Sequence, residues 1–153
     1  MVGLLVLVLA DEETAAGMAR AIAFRARAQA NDIMAMSHRD VLEFRGARMA
    51  WAKAFEQSGL TLDDLSLVES HDCFTIAELI EYEAMGLSEP GEGHRVIREG
   101  VTQKDGRLPV NPSGGLKAKG HPIGATGVSM HVMAAMQLAG EAEGMQIPDA
   151  KLA

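Results

Sequence analysis

Two short stretches of the sequence hold side chains that could carry proton transfer or nucleophilic chemistry. The first, residues 69–74 (ESHDCF), places an imidazole, a carboxylate and a thiol beside one another. A thiol near histidines and near the start of a helix is favoured as thiolate, because both stabilise its negative charge. Cys73 could therefore act as a nucleophile or as a general acid/base. The alternative is that Cys73, beside Phe74, is a small buried hydrophobic residue.

The second stretch, residues 111–127 (NPSGGLKAKGHPIGATG), crowds glycines around His121. Glycine lets backbone approach a ligand or a helix closely, and Pro122 restricts the direction in which His121 is presented. We interpret the stretch as a ligand site, and the alternative is a glycine-rich turn with close helix packing. The spacing of Gly115 and Gly120 resembles a phosphate loop, but His121 stands where that motif needs lysine. We therefore reject a nucleotide phosphate loop.

Composition narrows the classes of function. The net charge of −7 and a pI near 5.2 argue against a nucleic-acid surface. A single cysteine forms no intrachain disulfide, which fits a reducing, cytoplasmic compartment. No metal site is expected without an HExxH-like spacing. Three further histidines are more simply solvated or structural: His38, His94 and His131.

The elements that must position these stretches follow from hydrophobic patterning. Leu4 to Leu9 predicts a buried strand too short to span a bilayer, Asp11 to Ala19 a short helix, and 21–28 a second strand. The spacing of apolar residues from Leu42 to Ser58 predicts a helix that Gly59 ends. Leu65 to Val68 predicts a strand, so the ESHDCF stretch would follow its carboxyl end, where ligands bind in open α/β sheets.

The second half of the chain continues the alternation. Thr75 with Glu78 predicts a capping box on a helix that Gly86 ends, and 88–106 reads as a loop. Pro122 is expected in the first turn of a long helix ending at Gly140. That helix should present one apolar face made of Val128, Val132, Ala135, Met136 and Ala139. The fold class predicted is α/β, a doubly wound, mostly parallel sheet with covering helices.

The sequence HDCF followed by NPSGGLKAKGHPIGATG resembles the thiolase superfamily, and within it the sterol-carrier-protein type. The resemblance extends from Gly3 over nearly the whole chain, with a looser match at 20–31. It implies a layered α/β fold in which residues 1–10 are the last strand of an N-terminal half. Residues 20–153 would then be most of the C-terminal half, expected to be truncated where a strand begins at Ile147.

The resemblance also implies a chemistry, the thiolysis of 3-ketoacyl-CoA or the reverse condensation of acyl-CoA. In that frame His121 resembles the histidine that activates a nucleophilic cysteine, and His71 the residue that completes the oxyanion hole. Cys73 resembles the acid/base thiol, and Gly114, Gly115 and Gly124 would shape the substrate pocket. Coenzyme A would be a substrate, with no further cofactor. The nucleophile is expected to lie outside the chain, which should be inactive alone.

Two other functions stay open at this point. One is a thiolase-fold aldolase or synthase subunit working with an OB-fold partner protein. The other is a non-catalytic module that binds acyl-CoA or a partner. The complete enzyme is expected to form a homo-oligomer and to bind neither nucleic acid nor membrane.

Overall fold

The computed structural model describes residues 5–153, and helices make up nearly all of the regular secondary structure in that range. Its α-helices are α1 (Glu12–Ala16), α2 (Arg45–Ser58), α3 (Thr75–Ala84), α4 (Gly93–Arg98), α5 (Gly115–Lys119) and α6 (Thr126–Ala139). Short 3₁₀ turns occur at Met36–His38, Leu62–Asp64 and Glu143–Met145. The remaining described residues are turns and irregular segments.

The predicted parallel sheet is not confirmed. Within residues 5–153, the β pairing is one isolated parallel bridge between Val68 and Val110. The expected strand at Leu4–Leu9 begins outside the described residues. Residues 5–10 are irregular, and Val8 is 79% exposed. The expected strand at 21–28 is also irregular, because a strand is stable only when a neighbouring strand pairs with it.

The hydrophobic core lies under α3 and α4, close to the bridge. α3 packs against both α2 and α4. The buried core residues are Val68, Tyr82, Met85, Val96, Leu108 and Val110. Trp51 of α2 packs against this cluster and stacks on Phe55 with ring centroids 5.4 Å apart. The core therefore supports the end of the 65–68 segment, where ESHDCF begins.

The helix predicted from Leu42 to Ser58 is confirmed as α2. Gly59 follows it in the left-handed conformation, with φ 70°, and donates its N–H to Phe55 O. Such a residue ends a helix at little cost only when it is glycine. The helix begins three residues later than expected, at Arg45.

Three predictions about helix boundaries are wrong. α3 begins at Thr75, so Phe74 occupies the capping position and Thr75 forms no capping box with Glu78. The stretch 88–106, read as a loop, contains α4. α6 begins at Thr126 rather than at Pro122, because Gly124 takes the left-handed φ of 90°, which a right-handed helix cannot contain.

The buried face of α6 also differs from prediction. On α3, Ile76 is 57% exposed, whereas Ala77 and Ile80 are buried. On α6, the buried residues are polar: Thr126, Ser129 and Gln137. Gln137 is buried because its side chain forms hydrogen bonds with the backbone of the segment that follows α6. Its Nε2 donates to Met145 O at 2.8 Å, and its Oε1 accepts from Ile147 N at 2.8 Å.

The segment expected to begin a strand at Ile147 forms no strand, yet it does lie beside the core. Ser66 N donates to Leu152 O at 2.8 Å, and Lys151 N donates to Ser66 Oγ at 3.0 Å. These bonds connect residues 147–153 to the segment that carries Val68. The last residues thus support the approach to the site.

Candidate functional site

The β bridge between Val68 and Val110 places ESHDCF and the glycine-rich stretch side by side. Val68 N donates to Pro109 O at 2.9 Å, and Asn111 N donates to Val68 O at 2.7 Å. Two residues after Val68, Ser70 N donates to the Asn111 side-chain oxygen at 2.8 Å. ESHDCF and the glycine-rich stretch therefore leave the bridge together.

Asn111 holds this junction in an unusual conformation. Its φ is 52°, in the left-handed region, which asparagine tolerates better than most residues. Its side chain is buried, and its oxygen replaces a main-chain acceptor for Ser70. The side chain thus continues the bridge pairing for one further residue, although the backbone has already turned away.

A buried carboxylate ties the first residue of ESHDCF to the glycine-rich stretch. The Glu69 side chain is 3% exposed and accepts a hydrogen bond from Ser113 Oγ at 2.7 Å. The same carboxylate accepts from Lys119 Nζ at 2.9 Å. A buried carboxylate is stable only when its oxygens are paired in this way. Glu69 therefore connects the approach to α5, at Ser113, and the last residue of α5, Lys119, to the bridge.

A second buried carboxylate, that of Asp72 between His71 and Cys73, also ties ESHDCF to the glycine-rich stretch. Asp72 is 2% exposed, and its Oδ1 accepts from Leu116 N, in the first turn of α5, at 2.8 Å. Lys117 Nζ lies 3.1 Å from Oδ2. Burial alone would raise the pKa of Asp72, but the bonds from Leu116 and Lys117 outweigh it and hold that pKa below its ordinary value. Asp72 is thus ionised and anchored.

Lys117 extends this anchor onto α3. Its ammonium group pairs with Glu78 as well as with Asp72, and Glu78 also accepts a hydrogen bond from the buried Tyr82 hydroxyl at 2.8 Å. Burial lowers the pKa of Lys117, but the two carboxylates outweigh it and raise that pKa overall. The pKa of Tyr82 is raised by burial and then by Glu78. α3 and α5 are therefore joined through charged groups.

Gly115 lies directly against the Asp72 carboxylate. Its φ is 63°, and a methyl group on its Cα would stand 2.2 Å from Asp72 Oδ2. No larger residue fits there without moving the carboxylate. The close approach of backbone to Asp72 is what allows the bond to Leu116 N. The structure thus accounts for glycine at 115 by packing against the carboxylate.

The two histidines singled out from the sequence meet at this junction. The rings of His71 and His121 lie edge to face, with centroids 4.9 Å apart and an interplanar angle of 81°. Both residues are exposed. His121 Nδ1 lies 2.7 Å from the hydroxyl of Thr126, at the start of α6. Two imidazoles at a solvent-accessible junction can donate hydrogen bonds to one oxygen or exchange protons with a bound molecule.

The other predicted site residues belong to the same two stretches of the chain. Cys73 is a free, half-buried thiol two positions after His71. Gly114 has φ 85° at the start of α5, where an added methyl would lie 2.6 Å from the Ala118 side chain, and Gly124 has open space around it. The histidines assigned no catalytic part are exposed and lie outside this junction: His38, His94 and His131.

Sequence reasoning missed the residues that hold the site together. Glu69, Asn111 and Lys117 gave no local signal, because each acts on a residue about forty positions away. The clue that could have found them is chemical. Two acids in ESHDCF and two lysines in the glycine-rich stretch are complementary charges, which would pair once the stretches were adjacent.

Comparison with known proteins agrees with this architecture. The solved structure of the Ltp2-ChsH2(DUF35) aldolase superimposes with a TM-score of 0.72 over 82% of this chain and 33% of that chain, at 24% identity. This chain therefore shares its fold with part of that neighbour. Residues 28–153 match the family described as "Thiolase C-terminal domain-like". The chain belongs to that family.

Several curated proteins are similar to this chain at higher sequence identity than the solved structure. Acetyl-CoA acetyltransferase of Methanothermobacter thermautotrophicus is 43% identical over 84% of this chain and 34% of its own length. Human sterol carrier protein 2 is 44% identical over 72% of this chain and 20% of its length. Benzoylsuccinyl-CoA thiolase subunit BbsB of Thauera aromatica is 41% identical over 61% and 24%. The chain thus spans about a third or less of these relatives.

The described residues were also compared with the requirements of a membrane-spanning helix and of a metal site. Across residues 5–153, no helix combines the length and the apolar character needed to cross a bilayer. In the same range, no three histidine, cysteine or acidic side chains cluster as metal ligands would.

Proposed function

We propose that this chain provides the histidine pair and the acid/base thiol for thiolase chemistry on acyl-CoA. The reaction would be thiolysis of 3-ketoacyl-CoA or the reverse condensation. The observation that carries the proposal is the approach of His71 to His121 at 4.9 Å, across two stretches held by buried carboxylates. The acetyltransferase and thiolase relatives support this class of substrate.

Each residue has a distinct part in the proposed reaction. His121 takes the proton of the acyl-accepting cysteine and then donates to the thioester oxygen, whose charge grows as the enolate forms. His71 donates the second hydrogen bond to that oxygen. The Cys73 thiolate removes the α proton from the acetyl unit and becomes a thiol, and in thiolysis it returns that proton to carbon. Gly114, Gly115 and Gly124 would leave backbone room for the pantetheine arm.

The acyl-accepting cysteine is proposed to be a residue other than Cys73. Since the 153 residues hold one cysteine, the isolated chain should show no turnover of acetoacetyl-CoA with CoA. The measurement is CoA-dependent loss of acetoacetyl-CoA absorbance by the pure chain. Turnover that disappears in Cys73→Ala would make Cys73 the nucleophile and overturn this assignment.

A chimera tests the roles in a complete enzyme. The segment of the Methanothermobacter acetyl-CoA acetyltransferase that aligns with this chain would be replaced by it, since the two are 43% identical over 129 residues. The chimera should condense acetyl-CoA. Cys73→Ala should lower condensation by roughly a hundredfold, the scale of general acid/base loss, while the enzyme still becomes acylated. His121→Ala should impair acylation and condensation alike.

The variants separate the proposal from its rivals. Cys73→Ser keeps the size of the side chain and serves as the control for packing. Near-normal condensation in Cys73→Ala would mean that Cys73 only packs. A folded chimera that binds acyl-CoA without turnover would favour a non-catalytic module. Retro-aldol cleavage that requires an added OB-fold subunit would favour an aldolase, the activity in the name of the structural neighbour.

A further inference from the structure

The buried hydroxyl behind His121 belongs to Thr126, the first residue of α6, which is 4% exposed. Its Oγ1 lies 2.7 Å from His121 Nδ1 and 3.2 Å from the carbonyl oxygen of Pro122. The three groups form a short chain from a backbone carbonyl to the imidazole ring. The hydroxyl sits on the buried side of an exposed histidine.

The tautomer of His121 is linked to the direction in which the Thr126 hydroxyl donates. A hydroxyl has one proton to donate, and a carbonyl oxygen can only accept. The Thr126 hydroxyl is placed to donate to Pro122 O, the carbonyl four residues earlier, which also accepts from Ala125 N and Thr126 N. In that arrangement the lone pairs of Oγ1 face His121, and Nδ1 carries the proton. In the neutral ring Nε2 is left with the lone pair.

We propose that Thr126 is a positioning residue that selects the Nδ1–H tautomer of His121 and leaves Nε2 as the proton-accepting nitrogen. Nε2 lies on the far side of the ring from the buried hydroxyl. For its catalytic meaning the assignment rests on the proposed function, in which His121 takes a proton from the nucleophile. The tautomer itself rests only on the contacts of Thr126.

The other groups near His121 are less suited than the Thr126 hydroxyl to fix its tautomer. His71 meets the ring edge to face and carries its own titratable nitrogens. Asp72, the nearest acid in the sequence to His71, is committed to Leu116 N and to Lys117. Thr126 is therefore the neutral partner that orients His121 without adding charge beside it.

Nitrogen NMR on the ¹⁵N-labelled 153-residue chain tests the assignment without any substrate. Long-range ¹H–¹⁵N correlations, recorded above the pH at which the histidines titrate, show which ring nitrogen is protonated. An unconstrained histidine favours Nε2–H, so wild-type His121 should instead show Nδ1–H. Thr126→Val keeps the shape and removes the hydroxyl. It should lower the ratio of Nδ1–H to Nε2–H about fivefold, as expected for loss of one hydrogen bond.

The chain contains its own controls. Thr126→Ser keeps the hydroxyl and should keep the wild-type ratio. His131 Nδ1 lies 2.7 Å from Gly127 O, a pure acceptor, so His131 should show Nδ1–H in every variant and calibrate the spectra. A wild-type His121 that is mainly Nε2–H, or a ratio unchanged in Thr126→Val, would overturn the proposal, and the wild-type spectrum decides this even if the valine variant fails to fold.

Activity gives a second readout in the acetyltransferase chimera. Thr126→Val should lower kcat about fivefold and shift the acidic limb of the pH profile, with KM for acyl-CoA unchanged, while Thr126→Ser stays near wild type. An inactive chimera would count against the proposed function and would leave the tautomer result standing. A wild-type pH profile and kcat in an active Thr126→Val chimera would overturn the positioning role.

Discussion

Gly115 shows how a single residue controls whether the two site stretches can meet. Two features make any side chain at position 115 unfavourable. The backbone has a left-handed φ of 63°, and an added methyl would stand 2.2 Å from the Asp72 carboxylate. The first feature costs about 1 kcal/mol for alanine, and the second must displace a buried, ionised group. The second feature links the residue to the site.

Gly115→Ala should therefore destabilise the chain by about 3 kcal/mol or more, measured as the free energy of unfolding in urea. The matched control is Gly59→Ala, at φ 70° with nothing within 4 Å of the added methyl. That variant isolates the backbone term and should cost about 1 kcal/mol. Equal losses in the two variants would show that contact with Asp72 is unimportant.

Among the elements, α3 and α5 are joined by charges as well as by packing. Asp72 precedes α3 and accepts from Leu116 in α5, while Lys117 of α5 pairs with Asp72 and with Glu78 of α3. α5 has five residues, too short to be stable by itself. The charged contacts therefore explain why a helix forms at this place in a glycine-rich stretch.

Asp72→Asn should reduce stability by about 1 to 3 kcal/mol at pH 7, because the amide keeps an acceptor for Leu116 N and loses the charge. The folded-state pKa of Asp72 is depressed, so its contribution is present above the unfolded value of about 3.9 and is lost as pH falls through the folded value. The difference between wild type and variant, measured in urea at several pH values, should thus shrink below pH ~4.

An exposed ion pair supplies the control for this titration. Asp63 lies 3.7 Å from Arg107 and its side chain is 79% exposed. Asp63→Asn should change stability little at any pH, because solvent screens such pairs. A loss in Asp72→Asn that is the same at pH ~3 as at pH 7 would contradict the ionised, anchored carboxylate.

At the scale of the molecule, the exposed apolar side chains among residues 5–153 are concentrated before residue 50. Val6, Val8 and Leu9 are 65%, 79% and 72% exposed, and Met34 is 91% exposed. Patches of this kind in a water-soluble fold promote association. The helices and the bridge further along bury their apolar residues more fully. Stability and solubility should thus depend on different parts of the chain.

The chain should self-associate, with a mean mass above 16.3 kDa that rises with concentration in sedimentation experiments. The double variant Val6→Glu, Val8→Glu should lower that mass. Ile97→Glu serves as the control, because Ile97 is the one exposed large apolar residue of α4, and it should leave the mean mass unchanged. A monodisperse 16.3 kDa wild type with a sharp, cooperative melt would contradict this prediction.

By itself the sequence determined what depends on local order. The helical spacing before Gly59 predicted α2, and HDCF with the glycine-rich stretch identified the family. These signals are readable because a helix period, a left-handed glycine or a contiguous motif involves residues near one another in the chain. The sequence pattern misplaces the start of α6, because the left-handed φ of Gly124 outweighs the preference of Pro122 for a first helical turn.

Only the tertiary structure decided how the site is held. The pairs Glu69 with Ser113, Ser70 with Asn111, and Asp72 with Leu116 join segments more than forty residues apart. A strand also depends on a neighbouring strand that pairs with it, and an apolar run does not show whether such a neighbour exists. The apolar runs therefore predicted a sheet, whereas the described residues form one bridge. The approach of His71 to His121 is a property of that packing, since no spacing along the chain specifies the distance between two rings.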